Sequence, residues 1–270
     1  MLNCTNKLLI SVAFIILLIE GQSYLPIFRL EMPQDSIYIE EPMVLKCWLV
    51  NDNDVPVKVW DEGPVGLLYT GGIDFYLTSA VKDTFRYAVG IDDFTRRMPS
   101  LEIKAHDSIY WYSLLGWHNF IRTPIRNVFP GQFKIFSRYN LTVKNAMTDS
   151  FSFPVIQSNE ISFTAIGIPD SEQTIYDEWI PLTHEYFWWG ERFENRWVRP
   201  DYNELCKRVA ESKSRFARYA HYIYCKSTGD KKEMQKFLKR YPSGPLSELI
   251  EFMRNPDEAR KKYPCNTWPK

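Results

Sequence analysis

The chain is poor in the residues that build metal and catalytic centres. Its 270 residues include four histidines, His106, His118, His184 and His221, and none stands at metal-ligand spacing. His184-Glu185 opens like a zinc-protease helix, but Trp188 occupies the position where the second histidine is required. The sequence has no C-x-x-C pair, no G-x-S-x-G elbow, no Gly-rich phosphate loop and no dinucleotide fingerprint. The expectation is therefore a non-enzymatic protein with no cofactor and no metal. Charge of one sign is also missing: Lys and Arg together number 33, as do Asp and Glu, so no overall field announces a nucleic-acid partner. The acidic turn Asp52-Asn53-Asp54 offers too few oxygens for calcium, which wants about six or more, and reads as a hairpin turn.

What is present begins at the N-terminus. Leu8 to Ile19 is apolar except for Ser11, follows Lys7, and precedes Glu20-Gly21-Gln22-Ser23. A run this short suits a signal-peptide core better than a membrane span, which takes about 20 residues, and Gly21 and Ser23 supply small residues for cleavage after Ser23. The chain is expected to be secreted or periplasmic, with residues 1–23 as signal peptide and no membrane span after their removal.

Removing that segment removes Cys4 and leaves Cys47, Cys206, Cys225 and Cys265. In an exported protein an even count invites disulfides, and Cys206 with Cys225 is the favoured pair because two antiparallel helices could bring them together. Cys47 lies in an apolar strand and reads as a small buried hydrophobe. Charge is unevenly spread. Residues 207–240 hold eleven basic side chains against three acids, with Lys207, Arg208, Arg215, Arg218, Lys232, Lys236, Lys239 and Arg240 as a candidate cationic face, whereas Glu31 to Glu62 holds eight acids against Lys46 and Lys58. Two solvated faces, an interface between the halves of the chain, or a dock for an anionic surface all fit this bias.

From Tyr24 to about residue 168 short β-rich runs alternate with turn residues. Strands are expected at Ile27–Leu30, Met43–Val50, Asp74–Ser79, Thr84–Val89, Ser108–Leu114, Gln132–Tyr139 and Glu160–Ile166, with Asn51 to Pro56 closing a hairpin. Ser36-Ile37-Tyr38-Ile39-Glu40-Glu41-Pro42-Met43-Val44-Leu45, then Pro56-Val57, and later Phe129-Pro130-Gly131-Gln132-Phe133 and Ser158-Asn159-Glu160-Ile161 resemble the opening and closing segments of immunoglobulin-like domains of exported bacterial proteins. That resemblance implies an all-β immunoglobulin-like sandwich over residues 24–168 and an adhesive or structural setting. It transfers no active site, and Cys47 has no partner for the antibody-type bridge.

Ile166-Gly167-Ile168-Pro169-Asp170-Ser171 ends the last strand and can cap a helix. Beyond it the apolar period becomes helical: Tyr202/Leu205/Cys206/Val209, Phe216/Tyr219/Ala220/Ile223, Met234/Phe237/Leu238/Tyr241 and Leu246/Leu249/Ile250/Met253 each fall at i, i+3, i+4, i+7. Residues 169–270 are thus expected to form C-terminal all-α helical hairpins. Phe237 to Leu246, with Ala217 and Ala220, resembles tetratricopeptide-like repeats; the likeness spans at most one and a half repeats, whereas such arrays need about three.

Trp179, Tyr186, Trp188, Trp189 and Trp197 crowd the start of the helical part. They either seal the joint between the halves or form a contact surface for a sugar ring. The leading functional expectation is an exported binding or assembly protein with a protein or glycan partner at the cell envelope. A glycan-binding or hydrolase-associated protein is the alternative, and a protease inhibitor presenting Ala88 to Ser100 or Gly116 to Phe129 is a third. Asn140-Leu141-Thr142 satisfies the N-glycosylation pattern, which matters only for a eukaryotic source. Intact-mass analysis of protein recovered from its native host should give a mature chain starting at Tyr24; a chain that still carries Met1 contradicts cleavage.

Overall fold

The computed structural model describes residues 25–60, 72–80, 84–88, 101–117, 130–144, 151–152, 154–180 and 200–265. Its β part comprises β1 (Ile27–Glu31), β2 (Ser36–Tyr38), β3 (Met43–Asn51), β4 (Val57–Trp60), β5 (Gly72–Ser79), β6 (Thr84–Ala88), β7 (Leu101–Ile103), β8 (Asp107–Leu115), β9 (Gly131–Asn140), β10 (Thr142–Lys144), β11 (Phe151–Ser152), β12 (Val155–Gln157) and β13 (Ile161–Ile166). Among the described residues these strands make three sheets, ordered β1-β3-β8, β11-β10-β4-β7 and β2-β13-β9-β5-β6, with β12 also paired to β9. All pairings are antiparallel except β2 on β13, which is parallel.

Period-two burial explains the strands. On β9 Phe133, Ile135, Ser137 and Tyr139 point inward, and on β13 Phe163 and Ala165 do so. Their side chains meet those of Phe28, Leu45, Cys47, Val57, Phe75 and Ile103 in one apolar core shared by the three sheets. Trp117 stands edge-on to Phe133 with ring centroids 5.2 Å apart. The start of β3 breaks the alternation: Met43, Val44 and Leu45 are all buried, because Met43 and Leu45 face the β core whereas Val44 joins the helical one.

All seven expected strands form, but the expected hairpin at Asn51 to Pro56 does not. The turn carries the chain from one sheet to another, since β3 pairs with β1 and β8 while β4 pairs with β7 and β10. Buried Asn51 decides this. Its amide nitrogen donates to the carbonyls of Val55, Ile103 and Lys104 at 2.9, 3.0 and 2.9 Å, tying the turn to the residues before β8 rather than folding β4 back on β3.

Helical structure begins at Asp170–Glu172 as a 3-10 turn, continues over residues 173–180, and resumes as α1 (Pro200–Glu211), α2 (Ala217–Thr228), α3 (Lys231–Arg240), α4 (Pro245–Arg254) and α5 (Pro256–Lys262). Gly229 ends α2 at φ 65°, a left-handed conformation that suits glycine, and Asp230 caps α3 by accepting from Lys232 N and Glu233 N. Proline at the first turn starts α4 and α5. The four expected helices are present; α5 lacks a long apolar stripe and was not expected.

Cys206 and Cys225 are free, buried thiols, so the expected bridge is absent. The α1–α2 hairpin is tied by a Ser227 Oγ–Asn203 Oδ1 bond of 2.7 Å, and both thiols lie in the helical core without being linked. Burial pushes both thiols up to about 12. Each acts as a small apolar side chain in the helical core, beside Phe216, Tyr219, Phe237 and Ile250.

Phe216 is the hinge pin of that core, fully buried and stacked on Trp179 at 5.7 Å, with Tyr38 of β2 at 6.1 Å. Phe216→Ala is expected to cost about 3 to 5 kcal/mol. Because the ring touches both halves, calorimetry should show one lowered transition; a β-part transition left at its original temperature contradicts a shared core.

Candidate functional site

The seam between the β part and the helices is built on a buried carboxylate. After β2 the chain turns at Glu40, whose φ of 68° is left-handed, and Glu41 N closes the turn on Tyr38 O at 3.0 Å. This aims the Glu41 side chain away from solvent, with none of it exposed. Its Oε2 accepts from Tyr38 N at 2.9 Å and pairs with Arg215 Nε at 2.8 Å. Its Oε1 accepts from Arg218 Nη2 and from the Tyr219 hydroxyl, both at 3.0 Å. Trp117 Nε1 donates to the Glu41 carbonyl at 3.1 Å. Four donors on one carboxylate offset the desolvation that an unpaired charge would suffer. Burial, followed by the Glu41 charge, raises the Tyr219 hydroxyl well above its ordinary range, so it stays a donor.

The arginines are held on their other sides as well. Arg215 Nη2 donates to Ser36 O at 2.5 Å and its guanidinium lies 4.9 Å from the centre of the Tyr38 ring. Ser214 Oγ donates to Glu172 Oε2 at 2.5 Å and accepts from Phe216 N at 3.1 Å, and Arg215 N also donates to Glu172. Glu172 thereby closes the start of α2. At the end of α1, Arg240 donates to the carbonyls of Ala210 and Ser212, the usual role for a cation there.

Gln34, Ser214, Arg215, Arg218 and Tyr241 surround an open cavity of about 280 Å³. Two buried polar atoms of its lining residues, Gln34 Oε1 and Arg218 Nε, have no hydrogen-bond partner among the described residues. A second buried carboxylate lies elsewhere on the seam, where Glu248 of α4 accepts from the hydroxyls of Tyr110 and Tyr112 at 2.5 and 2.9 Å. The Lys46 ammonium lies 3.7 Å over the Tyr110 ring and 4.1 Å over Trp48.

The candidate cationic face divides. Arg215 and Arg218 turn inward to Glu41; Arg208 pairs with Glu178 and Lys236 with Glu233 at the surface; Arg240 serves α1; Lys207, Lys232 and Lys239 are exposed. Of the candidate aromatic surface, Trp179 is fully buried under Phe216 and belongs to the joint. Tyr186, Trp188, Trp189 and Trp197 lie outside the described residues, as do most of the two candidate inhibitory loops and His184. Gln34 and Glu248 were not singled out from the sequence, and Glu41, Tyr219 and Tyr241 were read only as parts of structural patterns, not as site residues. The opposite charge bias of the two halves was the one signal pointing to Glu41 and its arginines.

No protein-family model matches the chain, and no curated protein matches it. Among solved structures it is similar to a putative late embryogenesis abundant protein at 9% identity and TM-score 0.32, covering 58% of this chain and 80% of the other. The C-terminal domain of Wzt follows at 7% identity and TM-score 0.30, covering 53% and 72%, and the sporulation control protein Spo0M of Bacillus subtilis at 10% and 0.28, covering 58% and 56%. None of these likenesses is near enough to carry a fold or a function to this chain.

Two expectations follow from the seam. Glu41→Gln leaves two guanidiniums without their counter-charge and should destabilise by about 3 to 5 kcal/mol, measured by urea unfolding. Glu40 behaves differently, because burial raises its carboxyl from 4.5 to about 8. The folded state therefore holds a proton that the unfolded chain releases between those values, so this contribution to stability falls as pH rises from about 4.5 to about 8 and is flat above. Glu40→Gln should abolish that decline in denaturation curves across the range; an unchanged slope contradicts it.

Proposed function

We propose that this chain is an exported, non-enzymatic binding or assembly protein of the cell envelope or extracellular space. In this reading an immunoglobulin-like β part and a tetratricopeptide-like helical part act as one recognition unit. The observation that carries the proposal is the Glu41 network: it fixes Arg215 and Arg218 from the helical side against β2 and leaves a polar cavity open beside them. A rigid seam with preset hydrogen-bonding groups suits recognition, since little ordering is left to be done when a partner docks. The signal-like N-terminus and the resemblance to exported immunoglobulin-like domains support recognition outside the cytoplasm.

The buried position of Trp179 favours the protein-partner form over a glycan platform at that residue. A photoreactive residue placed at exposed position 213, beside the cavity, should give a discrete covalent adduct when the full chain is irradiated in its native host. Fractionation should recover that adduct outside the cytoplasm. Recovery of the protein only in the cytoplasm, or irradiation without any adduct, contradicts this function.

A further inference from the structure

Going beyond that reading and independent of it, we infer that the outward face of α3 docks electrostatically on the anionic surface of a lipid bilayer. Burial divides this helix in two. Met234 and Phe237 are buried and Leu238 is half-buried, whereas Lys231, Lys232, Gln235, Lys236, Lys239 and Arg240 are exposed. At 3.6 residues per turn, Lys232, Lys236 and Lys239 fall within about 60° of one another on the side away from Phe237, and their stripe runs about 10 Å along the axis. The helix itself gains nothing from these charges. Lys231 and Lys232 stand in its first turn, where the macrodipole disfavours cations, and Lys232–Lys236 and Lys236–Arg240 put like charges at i, i+4, which costs helix stability.

Neighbouring acids do not cancel the excess. Against the five cations of α3 stand Asp230, at the cap, and Glu233, which pairs with Lys236 at 2.6 Å. Arg240 donates to the carbonyls of Ala210 and Ser212 and so sets the end of α1 beside the end of α3. That stretch shows Lys207, Arg208 and Lys213 against Glu204 and Glu211, with Glu178 paired to Arg208. Three positive charges remain in excess over this surface.

The form of the face selects the partner. Its central stripe is lysine, a compact point charge without the fork that reads a fixed carboxylate or phosphate in two bonds. No aromatic side chain stands among the exposed positions of α3, so the face has no platform on which nucleic-acid bases could stack. None of the three stripe lysines lines the seam cavity, so they define no pocket for a single small anion. A flat array of mobile anionic headgroups is the partner such a stripe fits, at roughly fivefold in affinity per lysine near the surface. Because the apolar side of α3 is committed to the helical core, the helix cannot insert, and contact with lipid is purely coulombic.

The test is co-sedimentation of the chain from Tyr24, which holds every described residue and lacks the apolar Leu8 to Ile19 run, with vesicles of phosphatidylglycerol and phosphatidylcholine in equal parts. Binding is expected at about 50 mM salt, with release at about 500 mM as screening shortens the reach of the charges, and none to phosphatidylcholine alone. The double variant Lys232→Gln/Lys239→Gln should weaken binding about 25-fold without lowering the melting temperature. Lys104→Gln/Lys261→Gln changes the net charge equally at exposed positions away from the stripe and should bind as the unaltered chain does. No binding to the anionic vesicles at low salt, equal loss in both double variants, or binding that survives high salt overturns the inference. Tighter binding to duplex DNA or to polyglutamate than to the vesicles also overturns it, by giving the face to another class of partner.

Discussion

A carboxylate with no solvent contact is the constraint around which the two halves are arranged. Isolated, Glu41 would be too costly to bury in ionised form. It is buried because Tyr38 N of β2, Arg215 just before α2, and Arg218 and Tyr219 of α2 bring four donors to its two oxygens. Removing either half would leave charges without partners, so the helices cannot leave the sheet without exposing or stranding them. Such networks are weak evidence for net stability; here the carboxylate fixes which way Arg215 and Arg218 face, while Glu172 and Ser214 close the start of α2.

Packing and polarity then reinforce one another along the seam. Val44 on β3 and Tyr38 on β2 belong to the helical core, while Trp117 joins the β core and donates to the Glu41 carbonyl. At the second contact, the Tyr110 and Tyr112 hydroxyls satisfy Glu248 while Lys46 lies over the Tyr110 and Trp48 rings. Burial raises both tyrosines, with Glu248 adding to the shift, which keeps their protons on the donor side of those bonds. Glu40, one residue before the central carboxylate, has an oxygen without a hydrogen-bond partner among the described residues, and burial raises its carboxyl to about 8.

Some of this was written into local sequence. Strands such as Gln132 to Tyr139 and helices such as Phe216 to Ile223 show the burial period of their secondary structure, and Gly229 and Asp230 mark a helix end and start by their own conformational preferences. The immunoglobulin-like and tetratricopeptide-like resemblances named an architecture, of which the succession of β then α elements is what the structure displays. The short strands β2, β7, β10, β11 and β12 were not legible, since two or three residues are too few for alternation to be distinguished from chance, whereas the strand after Pro56 was implied by the expected hairpin and forms with other partners.

Pairing was decided by tertiary structure alone. The Asn51 to Pro56 turn has hairpin chemistry, yet the Asn51 side chain reaches Ile103 and Lys104 and sends the next strand to another sheet. Cys206 and Cys225 lie in two neighbouring helices that could have brought them together, yet both remain free thiols in the helical core. Glu41 and Arg218 are 177 positions apart in sequence, and nothing local distinguishes them from the solvated charges around them. Sequence by itself determined the type of each long element, because backbone preference and side-chain periodicity act over a few residues. Only the assembled structure determined which charges are buried, which thiols meet and where the cavity opens, because those depend on distances between segments that local propensity does not set.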